Sequence, residues 1–272
     1  MVLKPANRQA SVGVQLLDRV DSAVAETAWA RTTAASEYEQ IPDRPLNWRY
    51  VVEERLVGPE YSVEALVRDG EVVFENVSAK TVVDGPYPIE LGHLVPAPLD
   101  AGITAHFAAA LRALVRATGF GTGILHAEWI LTGAGPTLVE CAGRCPGDHL
   151  VDLIDLAYDG KVRLSLIDLL AGRPAALPAR AVQAAAIRFL TAEPGTVTGV
   201  SGVDTARQLP GVRDVAVDVE PGSTVGAWTS SWDRPGHVLV TGADPEGARH
   251  NALTAAATVR IDTTSGGAGH AD

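Results

Sequence analysis

Glu128 and Glu140 are the residues with the clearest chemical potential. The segments His126-Ala127-Glu128-Trp129-Ile130 and Leu138-Val139-Glu140 flank a turn at residues 132–136. Side chains alternate along a strand, so His126, Glu128 and Ile130 share one face of the first arm. Leu138, Glu140 and Ala142 share a face of the second. A turn centred on Ala134 sets Glu128 directly opposite Glu140. Like charges so opposed are destabilising, and the pair calls for a cation, a shared proton or water. A hard divalent cation such as Mg²⁺ takes carboxylate oxygens and keeps positions open for phosphates. Two solvated carboxylates on an exposed hairpin face are the plain alternative.

Three further segments carry polar chemistry. Arg144 lies in Glu140-Cys141-Ala142-Gly143-Arg144-Cys145-Pro146-Gly147-Asp148, a Gly-rich loop in which a guanidinium can clamp a phosphate or carboxylate through two bonds; the alternative is a pairing with Asp148 or Asp152. Cys141, Cys145 and His149 would face a zinc ion on a helix, but Gly143, Pro146 and Gly147 argue against a helix there. Lys4 precedes a small-residue loop at 6–13, where an ammonium and backbone N–H groups can meet phosphates. Residues 51–64 read as an acidic strand running into Gly58-Pro59, with backbone groups that could read an adenine edge and with Glu60 in reach of a ribose.

The elements that position these residues follow from spacing. Strands are predicted at 2–3, 12–17 and 48–56, with an Ala-rich helix capped at Asp21 or Ser22 and reaching about residue 36. A polar connection fills 43–47. Residues 62–68 and 71–76 flank Asp69-Gly70, a strong hairpin signal. Pro86, Pro88, Pro96 and Pro98 mark mostly loop. A helix begins at Asp100, with Ile103, Phe107, Leu111 and Leu114 on one face, and ends at Gly119 and Gly121. Strands at 123–131 and 137–141 form the acidic hairpin, and two short helices follow at 150–158 and 162–171. Gly172-Arg173-Pro174 and the Ala/Pro run to Pro178 mark a boundary. Beyond it come a strand at 185–191, a helix at 204–209, strands at 214–219 and 237–241, and a helix from Pro245 capped by Asp244. Residues 263–272 read as a frayed end.

Composition narrows the classes. The 33 acidic and 22 basic residues give a net charge of −11, against broad binding to nucleic-acid phosphates. At 46% hydrophobic residues, the 272-residue chain can bury a real core, and at about 150 residues per domain it holds two domains. No window approaches the roughly 18 apolar residues of a membrane span, and no signal-peptide pattern opens the chain. Two cysteines make no disulfide framework and point to a reducing, cytoplasmic setting. Walker A, G-x-G-x-x-G, G-x-S-x-G and H-E-x-x-H patterns are absent.

In this order the four segments resemble the ATP-grasp superfamily, closest to carboxylate–amine ligases of the L-amino-acid ligase type, with biotin-carboxylase-like relatives further off. The likeness runs from Val2 to about Gly172. Ala186-Ile187-Arg188-Phe189-Leu190 and Leu209-Pro210-Gly211-Val212 resemble the C-terminal domain of those ligases. The resemblance implies an α+β ATP-grasp fold. Residues 1–172 would bind nucleotide and metal, with 1–50 a lid remnant and 51–172 a central antiparallel subdomain. Residues 173–272 would form a small α+β domain.

It also implies roles. Lys4 contacts the phosphates of ATP, and the loop holding Ser11 and Gly13 closes over them. Glu53, Glu54 and Leu56 form the adenine hinge, and Glu60 binds ribose. Glu128 and Glu140 hold Mg²⁺, and Arg144 holds the transferring phosphoryl group or an acyl phosphate. Lys80 and His93 line the site. The implied reaction joins a small carboxylic acid to an amine, both amino-acid-like, through an acylphosphate, with no nucleic acid and no membrane involved. Other readings are an inactive nucleotide-binding remnant, half of a two-chain enzyme, and a bicarbonate-phosphorylating enzyme. Ala142 stands where the family has an Asn metal ligand. By this likeness the chain starts inside the nucleotide-binding subdomain, as from a truncated or mis-started frame. A homodimer or a separate chain would then supply an N-terminal domain, and an unpaired strand edge would be left as a partner-binding face.

Overall fold

The structure, a computed structural model, describes residues 1–18, 21–38, 48–83, 85 and 87–265. The expected connection at 43–47, Pro86 and residues 266–272 lie outside the described residues. The N-terminal part pairs β1 (Val2–Pro5) antiparallel with β2 (Gln15–Leu16) and β3 (Tyr50–Glu53). The helix α1 (Ser22–Tyr38) starts where the Asp21 carboxylate accepts from Val24 N at 2.9 Å. The expected strands at 12–17 and 48–56 are shorter than their apolar runs. Ala10, Ser11 and Gly13 all take positive φ (60°, 57° and 76°), so the chain turns there instead of extending.

The central region runs β4 (Glu60–Arg68), β5 (Glu71–Val82), β6 (Glu90–Val95), α2 (Ala101–Thr118), β7 (Gly123–Thr132), β8 (Gly135–Ala142), α3 (Leu150–Tyr158) and α4 (Val162–Leu170). Next come β9 (Ala184–Phe189), β10 (Gly195–Ser201), α5 (Val203–Arg207), β11 (Val212–Val217), β12 (Thr224–Val225), a 3₁₀ turn (Ser231–Asp233), β13 (Gly236–Gly242), α6 (Pro245–Thr258) and β14 (Arg260–Ser265). Eight strands form one antiparallel sheet in the order β11-β13-β9-β6-β5-β4-β7-β8, and β10 pairs separately with β12 and β14. Strands from both sides of the Gly172–Pro178 stretch therefore share one sheet.

Local chemistry explains the joints. Asp69 and Gly70 both have positive φ, 52° and 82°, the two-residue turn that matches strand twist. Asp100 accepts from Ile103 N at 2.8 Å and caps α2, which stops at Gly119 in the left-handed region. Phe107, Leu111 and Val115 on α2 pack against Val63, Leu125 and Trp129 on one sheet face. Each such fully buried side chain contributes about 1.5–3 kcal/mol. The other face is divided. Leu66, Phe74 and Ile187 meet Leu150, Leu153 and Ile154 of α3, and beyond them that face carries the polar side chains of the site.

Three expectations change. The Pro-flanked stretch contains β6, a central strand. Pro88 and Pro96 stand outside its ends, where no ladder N–H is needed. Gly92 inside it lets β9 approach, since a Cβ there would stand 2.4 Å from the Ile187 carbonyl oxygen. Residues 263–265, expected within a frayed end, belong to β14 and pair with β10. Strands β10 and β12 fall in stretches for which the sequence predicts no element.

Candidate active site

The acidic hairpin has its expected pair: Glu128 and Glu140 are directly opposed. The route differs from the expected one. Thr132 pairs with Gly135, and a bulge beyond Trp129 and Leu138 inserts Val139, which restores the opposition. On the same face β4 presents Glu60, Ser62 and Glu64, and β5 presents Asn76, Ser78 and Lys80, with Ser62 opposite Glu128 and Glu64 opposite His126.

Lys80 is the hub of this face. Its Nζ lies 2.8 Å from Glu128, 3.2 Å from Glu90 and 3.5 Å from Glu60, and its side chain is 3% exposed. Burial alone would lower its pKa, but the three carboxylates hold it well above the usual lysine value. Burial likewise opposes ionisation of Glu128, yet Lys80 and His126 outweigh it and hold the carboxyl below the usual range. Glu60 moves up, because burial outweighs its weaker link to Lys80. Glu140 also moves up, through desolvation and then the charge of Glu128.

A polar ladder continues into the sheet. His126 Nε2 is 3.3 Å from Glu128 and its Nδ1 is 3.0 Å from Glu64, with ring-proton placement assigned from these partners. Glu64 is 1% exposed, and its other oxygen accepts from Ser78 at 2.7 Å and Asn76 at 3.3 Å. Burial lowers the His126 pKa, but its two carboxylate partners outweigh it and raise it to about 9. A histidine raised from 6.5 to about 9 on folding adds stability that is complete below about pH 6.5. That contribution is lost as pH rises through about 9. Urea unfolding without added metal should show a loss of about 3 kcal/mol across this window, and His126→Gln should flatten it.

The other expected residues fall around two adjoining cavities. The larger, about 520 Å³, is lined by Lys4, Ser11, Glu53, Glu54, Leu56 and Glu60. Gly13, in the turn that follows Ser11, does not line it. Lys4 Nζ pairs with Glu53 at 2.7 Å and donates to Val139 O at 3.2 Å, tying the N-terminal sheet to β8. Ser11 donates to Pro88 O at 2.8 Å. The smaller cavity, about 170 Å³, is lined by His93, His126, Arg144, Asp148 and Arg234 among others. Lys80, Glu90, Glu128 and Glu140 line both cavities. Arg144 pairs with neither Asp148 nor Asp152; its Nη1 donates to Cys145 O at 3.0 Å. Asp152 is taken by Arg163 at 2.6 Å.

Glu64, Glu90, Asp148, Ser231 and Arg234 were not singled out as site residues from the sequence. Asp148 accepts two bonds from Arg234, at 2.9 and 2.6 Å, and faces His93 Nε2 at 3.0 Å. Among the described residues, His93 Nδ1 is buried without a partner. The Cys141, Cys145 and His149 spacing spans a strand, a loop and the residue before α3, not one helix. Among the described residues no group of three or more His, Cys, Asp or Glu side chains is arranged to hold a metal by itself, and no helix is long and apolar enough to cross a membrane.

The chain belongs to the ATP-grasp family. The ATP-grasp domain matches residues 1–152, and the L-amino acid ligase C-terminal domain 2 matches residues 188–264. An uncharacterized protein, y4rH, of Sinorhizobium fredii is 29% identical over 245 residues, covering 88% of this chain and 48% of the relative. Carnosine synthase 1 of Gallus gallus is 28% identical over 192 residues, covering 68% of this chain and 20% of that protein. The L-amino acid ligase of Bacillus licheniformis superposes with a TM-score of 0.78 at 20% identity, covering 97% of this chain and 64% of the ligase chain. The chain thus spans about half or less of these curated relatives.

Proposed function

We propose that this chain carries the ATP-binding and phosphoryl-transfer centre of a carboxylate–amine ligase. ATP would lie in the larger cavity and a small carboxylic acid in the smaller one. The observation that carries this reading is the set of Lys80, Glu90, Glu128 and Glu140, which lines both cavities. A terminal phosphate reaching from the first cavity to the second must pass these residues.

The residues fit a hard cation in part. Glu128 and Glu140 offer two opposed carboxylates, and among the described residues the Glu140 carboxylate has no ion pair or hydrogen bond. Ala142, opposite His126, offers no side-chain oxygen. Two carboxylates leave the remaining positions to phosphate and water, as Mg²⁺ prefers. Bound there, Mg²⁺ would supply neutralisation of charge on the phosphate oxygens. The protein's own part is positioning and electrostatics. Lys4 and Lys80 present ammonium groups to the larger cavity, and Arg144 presents a guanidinium to the smaller. Leu56 and its neighbours wall the adenine end, and Glu60 would accept from ribose hydroxyls. The substrate carboxylate would attack the terminal phosphorus, breaking its bond to ADP and giving an acylphosphate. An amine would then displace phosphate. The two free cysteines, Cys141 and Cys145, fit a reducing, cytoplasmic setting.

The test is ADP release with paired additions. ADP should form only when an amino-acid-like acid and an amine are both present with Mg²⁺ and ATP. Release that depends on bicarbonate alone would make it a carboxylase-type enzyme. Ala142 favours one competing reading, a chain that binds Mg·ATP without turnover; binding with no ADP under any acid and amine would establish it. Ala142→Asn restores an oxygen beside Glu140, and the Mg²⁺ concentration for half-maximal nucleotide binding should fall about tenfold, consistent with one added ligand. Isothermal titration at fixed ATP reads it directly.

A further inference from the structure

The short turn at 230–234 touches three parts of the site that are far apart in sequence. Its own shape is fixed locally. The Ser230 side chain accepts from Trp232 N, and the Asp233 carboxylate accepts from Ser230 N at 2.8 Å and Thr229 N at 2.7 Å. From this base Ser231 N donates to Ala10 O at 3.1 Å, in the loop that borders the larger cavity. Ser231 Oγ donates to Glu90 at 2.7 Å, and Glu90 is a partner of Lys80. The Trp232 ring faces the Arg8 guanidinium at 5.7 Å, a second hold on the same loop. Arg234 uses all three of its nitrogens: Nε to Ser231 O at 2.6 Å, Nη1 to Glu90 O at 3.3 Å, and Nη1 and Nη2 to Asp148. Its guanidinium also lies 3.5 Å above the Phe189 ring.

We infer that Arg234 is a positioning residue, and that the 230–234 turn couples the seating of loop 6–14 to the placement of the Lys80–Glu90 pair and the Asp148–His93 pair. The catalytic side of this inference rests on the ligase reading above; the coupling does not. The physical reason is geometric. A planar fork bound to two backbone oxygens and a carboxylate fixes their mutual distances, and a lysine ammonium cannot reproduce that set. Asp148 takes a left-handed backbone (φ 55°) that turns its carboxylate toward this fork. When the loop is seated, Ala10 O and Arg8 hold Ser231 and Trp232, and these align Arg234. When Arg234 is aligned, the turn offers Ser231 N to the loop. Coupling of this kind is reciprocal.

The experiment is amide hydrogen exchange of residues 6–14, with and without Mg·ATP, in the wild type and in Arg234→Lys. None of the hydrogen bonds of Arg234 reaches that loop. Its replacement should nevertheless speed loop exchange about tenfold, within the usual range of coupling factors, while amides of β4 and β7 stay unchanged. Unchanged loop exchange overturns the coupling. Should Arg234→Lys fold poorly, Ser231→Pro takes its place. Proline is tolerated at the first position of a helical turn, and it removes only the N–H and hydroxyl that reach Ala10 and Glu90. Exchange in β9 and at His93 should then rise; no rise overturns the inference. In turnover, Arg234→Lys should lower kcat about tenfold with little change in KM for ATP, whereas equal loss of active protein at unchanged kcat means a structural role only. A chain that shows the exchange effect but never releases ADP keeps the coupling and loses the ligase reading.

Discussion

Lys80→Met should destabilise the folded protein by about 3–5 kcal/mol at neutral pH, as removal of one partner from a buried charge cluster does. Three carboxylates converge on its Nζ within 3.5 Å. Glu60 and Glu90 would lose their shared cation, and Glu128 would keep only His126. Methionine fills the same space, so packing changes little and the effect reports charge. The sign of the pH dependence follows. Without the ammonium, burial and mutual repulsion raise the folded-state pKa values of these carboxyls above the ordinary 4.5. The penalty is then complete above the raised values and is lost as pH falls toward the unfolded value. The wild type behaves oppositely, because the lowered Glu128 and Glu90 contribute stability that acid removes. Urea unfolding at pH 7 and pH 5 measures both. The gap between the two proteins should narrow at pH 5, and a gap that widens would place Lys80 outside the cluster's electrostatics.

The sequence made the acidic pair visible because a hairpin has a simple symmetry, and two glutamates equidistant from Ala134 must meet if the register is regular. The register is not regular. The tight turn lies half a residue earlier, and the Val139 bulge restores the match. Opposed glutamates were therefore legible, and the bulge that produces them was not. Lys80 was legible as a candidate but not as the hub, because its three partners come from β4, β6 and β7, and only the sheet order brings them together. Glu64 was invisible for the same reason. In Val63-Glu64-Ala65 it reads as the polar phase of an alternating strand, yet it is buried and paired with His126 and Ser78. The strand β6 was hidden by prolines that bound it. The 230–234 turn has no periodicity, and its Ser230-Ser231-Trp232-Asp233 capping box speaks only for its own shape; its importance comes from long-range contacts to Ala10, Glu90 and Asp148.

The N-terminal segment shows how far residue type can carry such a reading. Lys4 was singled out for a strand-end ammonium beside a loop of small residues, and the structure places it on the wall of the larger cavity. What residue type could not supply was its second role. Through Glu53 and Val139 O it joins the N-terminal sheet to the bulged strand that carries Glu140. The bulge thus serves two purposes. It sets Glu140 against Glu128, and it turns the Val139 carbonyl to an ammonium that would otherwise meet only solvent and Glu53.

Glu140→Gln should act in opposite directions on stability and on turnover, and this separates a metal-binding carboxylate from a structural one. In the metal-free protein the Glu140 carboxylate faces Glu128 without a hydrogen bond or ion pair among the described residues, and desolvation and then the charge of Glu128 push its pKa up. Removing that charge relieves a like-charge pair, so the metal-free variant should be more stable by up to about 1 kcal/mol. With Mg·ATP the order should reverse. A ligand present at about a hundred times its Kd stabilises the wild type by about 2.7 kcal/mol, and a variant that has lost one of two carboxylate ligands should gain far less. Turnover should fall about 10²–10³-fold, the usual effect of losing one preorganised electrostatic contact at a reacting group. Paired thermal melts, with and without Mg·ATP, test the stability arm without any knowledge of the acid or amine. A variant that keeps the full nucleotide-dependent stabilisation would show that Glu140 holds no metal. The two opposed carboxylates would then be a solvated pair on a cavity wall, and the phosphoryl-transfer centre would have to be built on Lys80 and its partners alone.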